Sequence, residues 1–238
     1  MTERESSGQQ ARSFFEDLWR RGDPWELETS ELDQARYARQ VAMLGERHYP
    51  HVLEIGCGAG AFTRLLARRS GNVVALDIAP AAIARAVAKP TPEHVEFRVA
   101  NVMEYDPRRE GPWDLVVLAE TMYFLGWLYS FFDVAWLAAE LFGATREDGR
   151  LLLANTFGGI EEPLLRPWII RTYRDLFLNV GYRLEAEEVL RGVKNGVPLE
   201  VLISLFFKGA PTDDSQVTRG RAGLQRVEEP DEGPAVET

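Results

Sequence analysis

The chain has 238 residues, 45% of them hydrophobic and 11% aromatic, with a formal net charge of −10. That suits one domain with a sizeable core and argues against a nucleic-acid partner or an anionic membrane surface. A single cysteine excludes an internal disulfide framework, the first residues carry no apolar signal core, and no apolar run approaches the roughly 20 residues of a bilayer span, so a soluble, cytoplasmic protein is expected.

Residues 1–10 are polar and read as disordered. From Ala11, Phe14, Phe15, Leu18 and Trp19 recur at helical spacing, and their rings are expected in the core rather than at a ligand. The stretch GDPWELETS interrupts the pattern. Ser30 with Asp33 three residues on reads as a capping box for a helix through Ala35, Tyr37, Val41 and Leu44. After Gly45, short strands alternate with helices. Strands are expected at 51–55, 72–77, 95–100, 113–120 and 149–157. Helices are expected from Phe62 to Arg69, from Pro80 to Lys89, from about Trp127 to Phe142 and from Arg166 to Val180. Residues 182–190 and 199–207 read as two final strands joined around Asn195-Gly196. Strands spaced by helices imply right-handed crossovers and an α/β, doubly wound, mostly parallel seven-stranded sheet. Residues 209–238 set three arginines against seven carboxylates and hold no aromatic residue, which reads as a disordered acidic tail.

The stretch HVLEIGCGAGAF (51–62) runs from a strand into a helix through Gly56, Gly58 and Gly60. Backbone N–H groups at a helix start favour negative charge, and missing β-carbons permit close approach. Asp77 ends the second strand about 20 residues on, where a carboxylate accepts from the two hydroxyls of a ribose. A nucleoside-bearing cofactor follows. Gly56, Gly58 and Ala61 also satisfy the dinucleotide form G-x-G-x-x-A. Glu54, however, stands at the mouth two residues before the first glycine, where it would repel a pyrophosphate yet suit an ammonium or a sulfonium. The bland alternatives are a tight strand-to-helix turn for the glycines and an ordinary strand-end cap for Asp77. Cys57 lacks the partners of a nucleophile, and His48 and His51, which straddle Pro50, lack those of a metal site, so no metal is expected.

The set E54-I-G-C-G-A-G60, Asp77 and WDLVVLAE resembles the motifs of class I S-adenosylmethionine-dependent methyltransferases over roughly residues 45–207. The resemblance implies a Rossmann-like fold over residues 46–208. The glycine loop would lie against the methionine part of S-adenosyl-L-methionine, Asp77 on the ribose, and Asn101 at the adenine, where the family often has Asp. Ile78, Val102 and Ala119 are placed with them as cofactor contacts. DPWELETSELDQARY (23–37), with WDLVVLAETMYFL later, further resembles the nodulation-type (NodS-like) N-methyltransferases acting on an amino sugar. That implies an N-terminal helical lid over residues 11–45, closing on the cofactor with Trp25, Arg36 and Tyr37.

Glu120 and Tyr123 follow the fourth strand, where a methyl group would meet its acceptor, and are the candidate catalytic pair; Glu120 as a helix cap is the alternative. The long connection 157–168 is a candidate acceptor wall. No histidine falls near this place, which favours an amine over a catechol-type oxygen. The expected function is methylation of a small molecule at the amine of an amino sugar or a related intermediate. A small-molecule O-methyltransferase, an NAD(P)-dependent oxidoreductase and a non-catalytic nucleotide-binding protein stay open. No nucleic acid or membrane partner is expected.

Overall fold

The computed structural model describes residues 3–158 and 162–209. All but the first residue of the expected acidic tail lies outside them, as do residues 1 and 2.

Seven strands form one sheet: β1 (Tyr49–Ile55), β2 (Ser70–Asp77), β3 (Val95–Val99), β4 (Trp113–Ala119), β5 (Thr145–Gly158), β6 (Arg183–Lys194) and β7 (Val197–Phe207). Their order is β3-β2-β1-β4-β5-β7-β6. β7 pairs antiparallel with both β5 and β6, and the remaining pairs are parallel. The order reverses between β1 and β4, and ligands of such sheets lie beyond the strand ends at that reversal. The central strands are apolar runs because both faces are covered. Val52, Leu53, Val116 and Val117 are wholly buried, and each contributes about 2 kcal/mol relative to exposure.

The final hairpin turns at Asn195 and Gly196 with φ of 51° and 77°. Both central residues are left-handed, as the twist of a two-residue hairpin requires. Its strands run longer than the alternating apolar pattern predicts, because β6 and β7 extend past the sheet to meet the N-terminal helices. The helix expected over 127–142 is two, α5 (Met122–Leu128) and α6 (Phe131–Ala144). Ser130 breaks it by accepting from the Asp133 N–H at 3.2 Å, a side-chain cap that starts a new helix. The helix after the glycine loop is shorter than expected: α3 (Thr63–Leu66) tightens into a 3₁₀ turn (Ala67–Arg69), and β2 starts at Ser70. α7 (Pro167–Asn179) lies close to its expected bounds.

Residues 3–10, expected to be disordered, are helical: α1 spans Glu3–Arg20. Their composition offers no apolar stripe, but Gly8 lets the backbone press against the end of β3. A β-carbon there would stand 2.8 Å from Asn101 Nδ2. The other end of α1 is fastened to α4 (Pro80–Val87) by exchanged caps. Glu16 Oε2 accepts from the Ala81 N–H at 2.8 Å, and Arg85 Nε donates to the Trp19 carbonyl at 3.1 Å. A carboxylate at a helix start and a guanidinium at a helix end both suit the helix dipole. α2 (Glu31–Leu44) begins at Ser30, whose hydroxyl accepts from the Asp33 N–H at 3.3 Å. The reciprocal half of the capping box is replaced, since the Asp33 carboxylate turns to Arg36 and Lys194.

Candidate functional site

At the C-terminal ends of β1, β2, β3 and β4, beneath α1, α2 and the loop between them, lies a cavity of about 410 Å³. That is within the range of small-molecule sites. Its floor is the glycine loop. Gly56, Gly58 and Gly60 have φ of 77°, 54° and 75°, a left-handed region that disfavours side chains. Their closeness is to the chain itself. A β-carbon on Gly56 would stand 2.5 Å from Thr121 Oγ1, one on Gly58 2.8 Å from the Trp19 ring, and one on Gly60 2.6 Å from the Phe97 ring. Gly56 and Gly58 line the cavity; Gly60 does not, and it serves the turn by donating to the Cys57 carbonyl at 2.9 Å. Cys57 is a buried loop residue whose thiol is pushed up by that burial.

Glu54 lines the cavity not at its mouth but within its floor, 3% exposed. Its Oε2 has no hydrogen-bond partner among the described residues. Burial pushes its carboxyl up to about 8, and the neighbouring Asp77 charge adds to this. The Thr63 hydroxyl beside it, likewise without a well-formed hydrogen bond, offsets only part. Asp77 accepts from the Gly58 N–H and the Ala79 N–H, each at 2.9 Å, one on each oxygen. Burial raises it to about 6, against these backbone donors. With one donor each, the oxygens retain acceptor capacity, and Asp77 lines the cavity with Ile78 beside it. A buried acceptor lacking a donor is costly, and Glu54 Oε2 is such an acceptor.

At the end of β3, Asn101 and Val102 line the cavity. The Asn101 amide is already engaged: its oxygen accepts from Met103 N at 3.1 Å and Tyr129 Oη at 3.2 Å, and its Nδ2 donates to Glu104 at 2.9 Å. This place therefore presents a shaped edge more than a free amide. Trp19 is buried in a small core cluster with Ala59, Ala79 and Ala82, as expected, and Phe15 packs against it; both rings also wall the cavity and meet Trp25 with ring centroids 5.8 and 6.3 Å apart. Phe14, also expected in the core, is 38% exposed against Trp127.

Ala119 ends β4 and Glu120 follows it. Glu120 has φ of 54°, unusual for a residue with a side chain, and its carboxylate is tightly held. It accepts from the Thr156 N–H at 3.0 and 3.2 Å and from the Tyr123 hydroxyl at 2.8 Å. Arg36 stands 3.7 Å away. Burial, and then the Glu120 charge, push Tyr123 well above its ordinary range, so it stays a neutral donor. Burial likewise raises Tyr37, which stacks on Phe62 at 5.6 Å. Arg36 also binds Asp33 at 2.6 Å. Burial alone would raise Asp33, but Arg36 and Lys194 outweigh it and hold Asp33 below the usual carboxylate range.

Of the fourteen predicted site residues, all but Gly60 thus line one cavity. Asp33, Thr156 and Lys194 were not among them. Asp33 reads as a helix cap, Thr156 acts through its backbone, and Lys194 lies 161 residues from its partner. Leu164 and Leu165, from the long connection after β5, line the cavity too; residues 159–161 of that connection lie outside the described set.

The family model of nodulation protein S (NodS) matches residues 9–146. Nodulation protein S of Rhizobium tropici is 34% identical over 106 residues, covering 44% of each chain. A ubiquinone biosynthesis O-methyltransferase of Xanthomonas campestris pv. campestris is 32% identical over 87 residues, 36% of this chain and 35% of that one. The chain spans about half the length of the nodulation proteins it matches, 44% in Rhizobium tropici and 48% in Sinorhizobium fredii. Among solved structures, the N-methyltransferase NodS of Bradyrhizobium japonicum WM9 in complex with S-adenosyl-L-homocysteine superposes with a TM-score of 0.72 at 20% identity, over 84% of this chain and 99% of that one. That likeness establishes the class I methyltransferase, Rossmann-like fold.

Proposed function

This chain belongs to the nodulation protein S family, and from that premise we propose that it methylates a small molecule with S-adenosyl-L-methionine, at the amine of an amino sugar or a related intermediate. The observation that carries the cofactor is the orphaned Glu54 Oε2. A buried carboxylate oxygen without a donor calls for a cation, and the ammonium of the methionine part is one. Asp77 has lone pairs left for two ribose hydroxyls. Gly56 and Gly58 bound the floor between them, Ile78, Asn101 and Val102 frame the adenine side, and Ala119 lines the cavity at the end of β4. The residues present therefore fit the group. When bound, it supplies a methyl on a sulfonium, activated without help from the protein.

The chain's own task is then to orient the acceptor, exclude water and receive a proton. Trp25, Phe15 and the first two turns of α2 roof the cavity; in this reading they form a lid, with Arg36 and Tyr37 on its inner face. Glu120 Oε2 accepts from both the Tyr123 hydroxyl and the Thr156 N–H, whereas Oε1 has the Thr156 N–H alone within hydrogen-bond distance and retains a lone pair for an amine N–H. Glu120 is the proton acceptor, and the neutral Tyr123 hydroxyl fixes its direction.

Calorimetric titration with S-adenosylhomocysteine and with NAD tests the cofactor; affinity for the first alone is expected, and affinity for NAD alone would overturn it. Incubation with labelled S-adenosylmethionine and a panel of amines, phenols and carboxylic acids tests the acceptor. Labelled amine nitrogen is expected; label on phenolic or carboxylate oxygen alone would refute the amine.

A further inference from the structure

Four charges run in a line from the tip of the last hairpin to the acceptor side of the cavity. Lys194 Nζ reaches Asp33 Oδ2 at 2.5 Å; Asp33 Oδ1 binds Arg36 at 2.6 Å; Arg36 stands 3.7 Å from Glu120 Oε1. All four side chains line the cavity, and Asp33 and Arg36 are almost fully buried. Two cations and two anions balance, so the line is electroneutral.

The order of the charges sets what each can do. Asp33 has both oxygens occupied, one by each cation. That occupancy leaves the other nitrogen of Arg36 directed at Glu120. Without Lys194, a buried carboxylate oxygen would lose its donor, which is costly. A guanidinium can answer that loss by binding both oxygens of one carboxylate in a fork. Arg36 would then close on Asp33 and withdraw from Glu120, already its looser partner. We infer that Lys194 is a positioning residue for Glu120, acting through Asp33 and Arg36. The inference rests on the reading of Glu120 as the acceptor-facing carboxylate.

A bare latch between hairpin and helix is a distinct role, and the hairpin has other fastenings for it. Asn195 Nδ2 donates to Glu26 at 3.1 Å, Arg39 pairs with Glu188, and Gly192 presses on Leu32. These persist when Lys194 is changed.

The Thr156 amide reports on the Glu120 carboxylate directly, because it donates to both oxygens. Its hydrogen exchange, read by NMR in the free 238-residue chain, needs neither cofactor nor acceptor. Lys194→Met should speed exchange at Thr156 by roughly tenfold, the measure of one weakened charge-assisted hydrogen bond. Lys194→Arg should restore protection. Asp33→Asn releases Arg36 toward Glu120, so protection at Thr156 should hold or rise, the opposite sign to Lys194→Met. Unchanged exchange in Lys194→Met would overturn the inference, as would equal loss in Lys194→Arg. Acceleration spread along α2 would make Lys194 a latch and also overturn it. Failure of the wild-type chain to bind S-adenosylhomocysteine would refute the cofactor reading while leaving the Thr156 result to stand by itself.

Discussion

Glu54→Gln keeps the size of the side chain under the glycine loop and removes its charge. Burial raises the Glu54 carboxyl, one oxygen of which lacks a donor among the described residues, from 4.5 to about 8. An acid raised on folding makes the folded chain hold its proton more firmly than the unfolded one. Stability is therefore greatest below pH 4.5 and falls as pH rises toward 8. At about 1.4 kcal/mol per unit, the free chain loses about 3 kcal/mol of stability by pH 7 and about 4 by pH 8. Glu54→Gln should recover most of this, with little gain at pH 4.5 and the largest gain at pH 8 in thermal unfolding.

Ligand binding should respond in the opposite sense. At pH 7 about nine-tenths of free chains hold the Glu54 proton, and an ammonium beside it would drive that proton out. Binding of S-adenosylhomocysteine at pH 7 should thus release close to one proton, seen as a calorimetric heat that varies with the ionisation enthalpy of the buffer. In Glu54→Gln the buffer dependence should vanish, and affinity should drop by about 2 kcal/mol, the worth of one charged hydrogen bond. A wild-type binding heat independent of buffer, together with unchanged affinity in the variant, would refute the assignment of Glu54 to the ammonium.

Asp77→Ala should weaken S-adenosylhomocysteine binding by about 1–3 kcal/mol, since ribose hydroxyls would be left unpaired; calorimetry showing unaltered affinity would remove Asp77 from the site. Glu120→Gln keeps the Tyr123 and Thr156 contacts in shape but cannot take a proton, so kcat/KM for an amine should fall while cofactor affinity stays within about twofold. Full activity in that variant would mean Glu120 only caps the strand end. Saturating S-adenosylhomocysteine should slow amide exchange over residues 23–37 if the N-terminal helices close on the ligand; protection restricted to residues 54–77 and 101 would reduce them to packing.

The strands were legible because buried parallel strands are unbroken apolar runs, and the Asn195-Gly196 turn because few residues other than Asn and Gly tolerate two left-handed positions in succession. The cavity floor was legible for a similar reason: glycine spacing, Glu54 and Asp77 lie within one strand–loop–helix–strand unit, where local sequence sets geometry. Distant pairings leave no such trace. Lys194 and Asp33 meet across 161 residues, and neither has a neighbour that betrays the other. Helical period likewise told that Phe15 and Trp19 share a face but not what the face meets, since a cavity wall and a core use the same side chains. Even the three glycines, which mark the site, are excluded from carrying side chains by Thr121, Trp19 and Phe97 of the chain itself. Their closeness is thus a statement about folding the loop, whereas the unpaired oxygen of Glu54 is what the proposed cofactor site rests on. A tight turn alone would have had every reason to replace that glutamate with an apolar residue, because a lone buried carboxylate weakens the fold it sits in. Its presence beside Asp77, at the reversal of strand order, is the ground on which a binding floor is proposed over a well-packed bend.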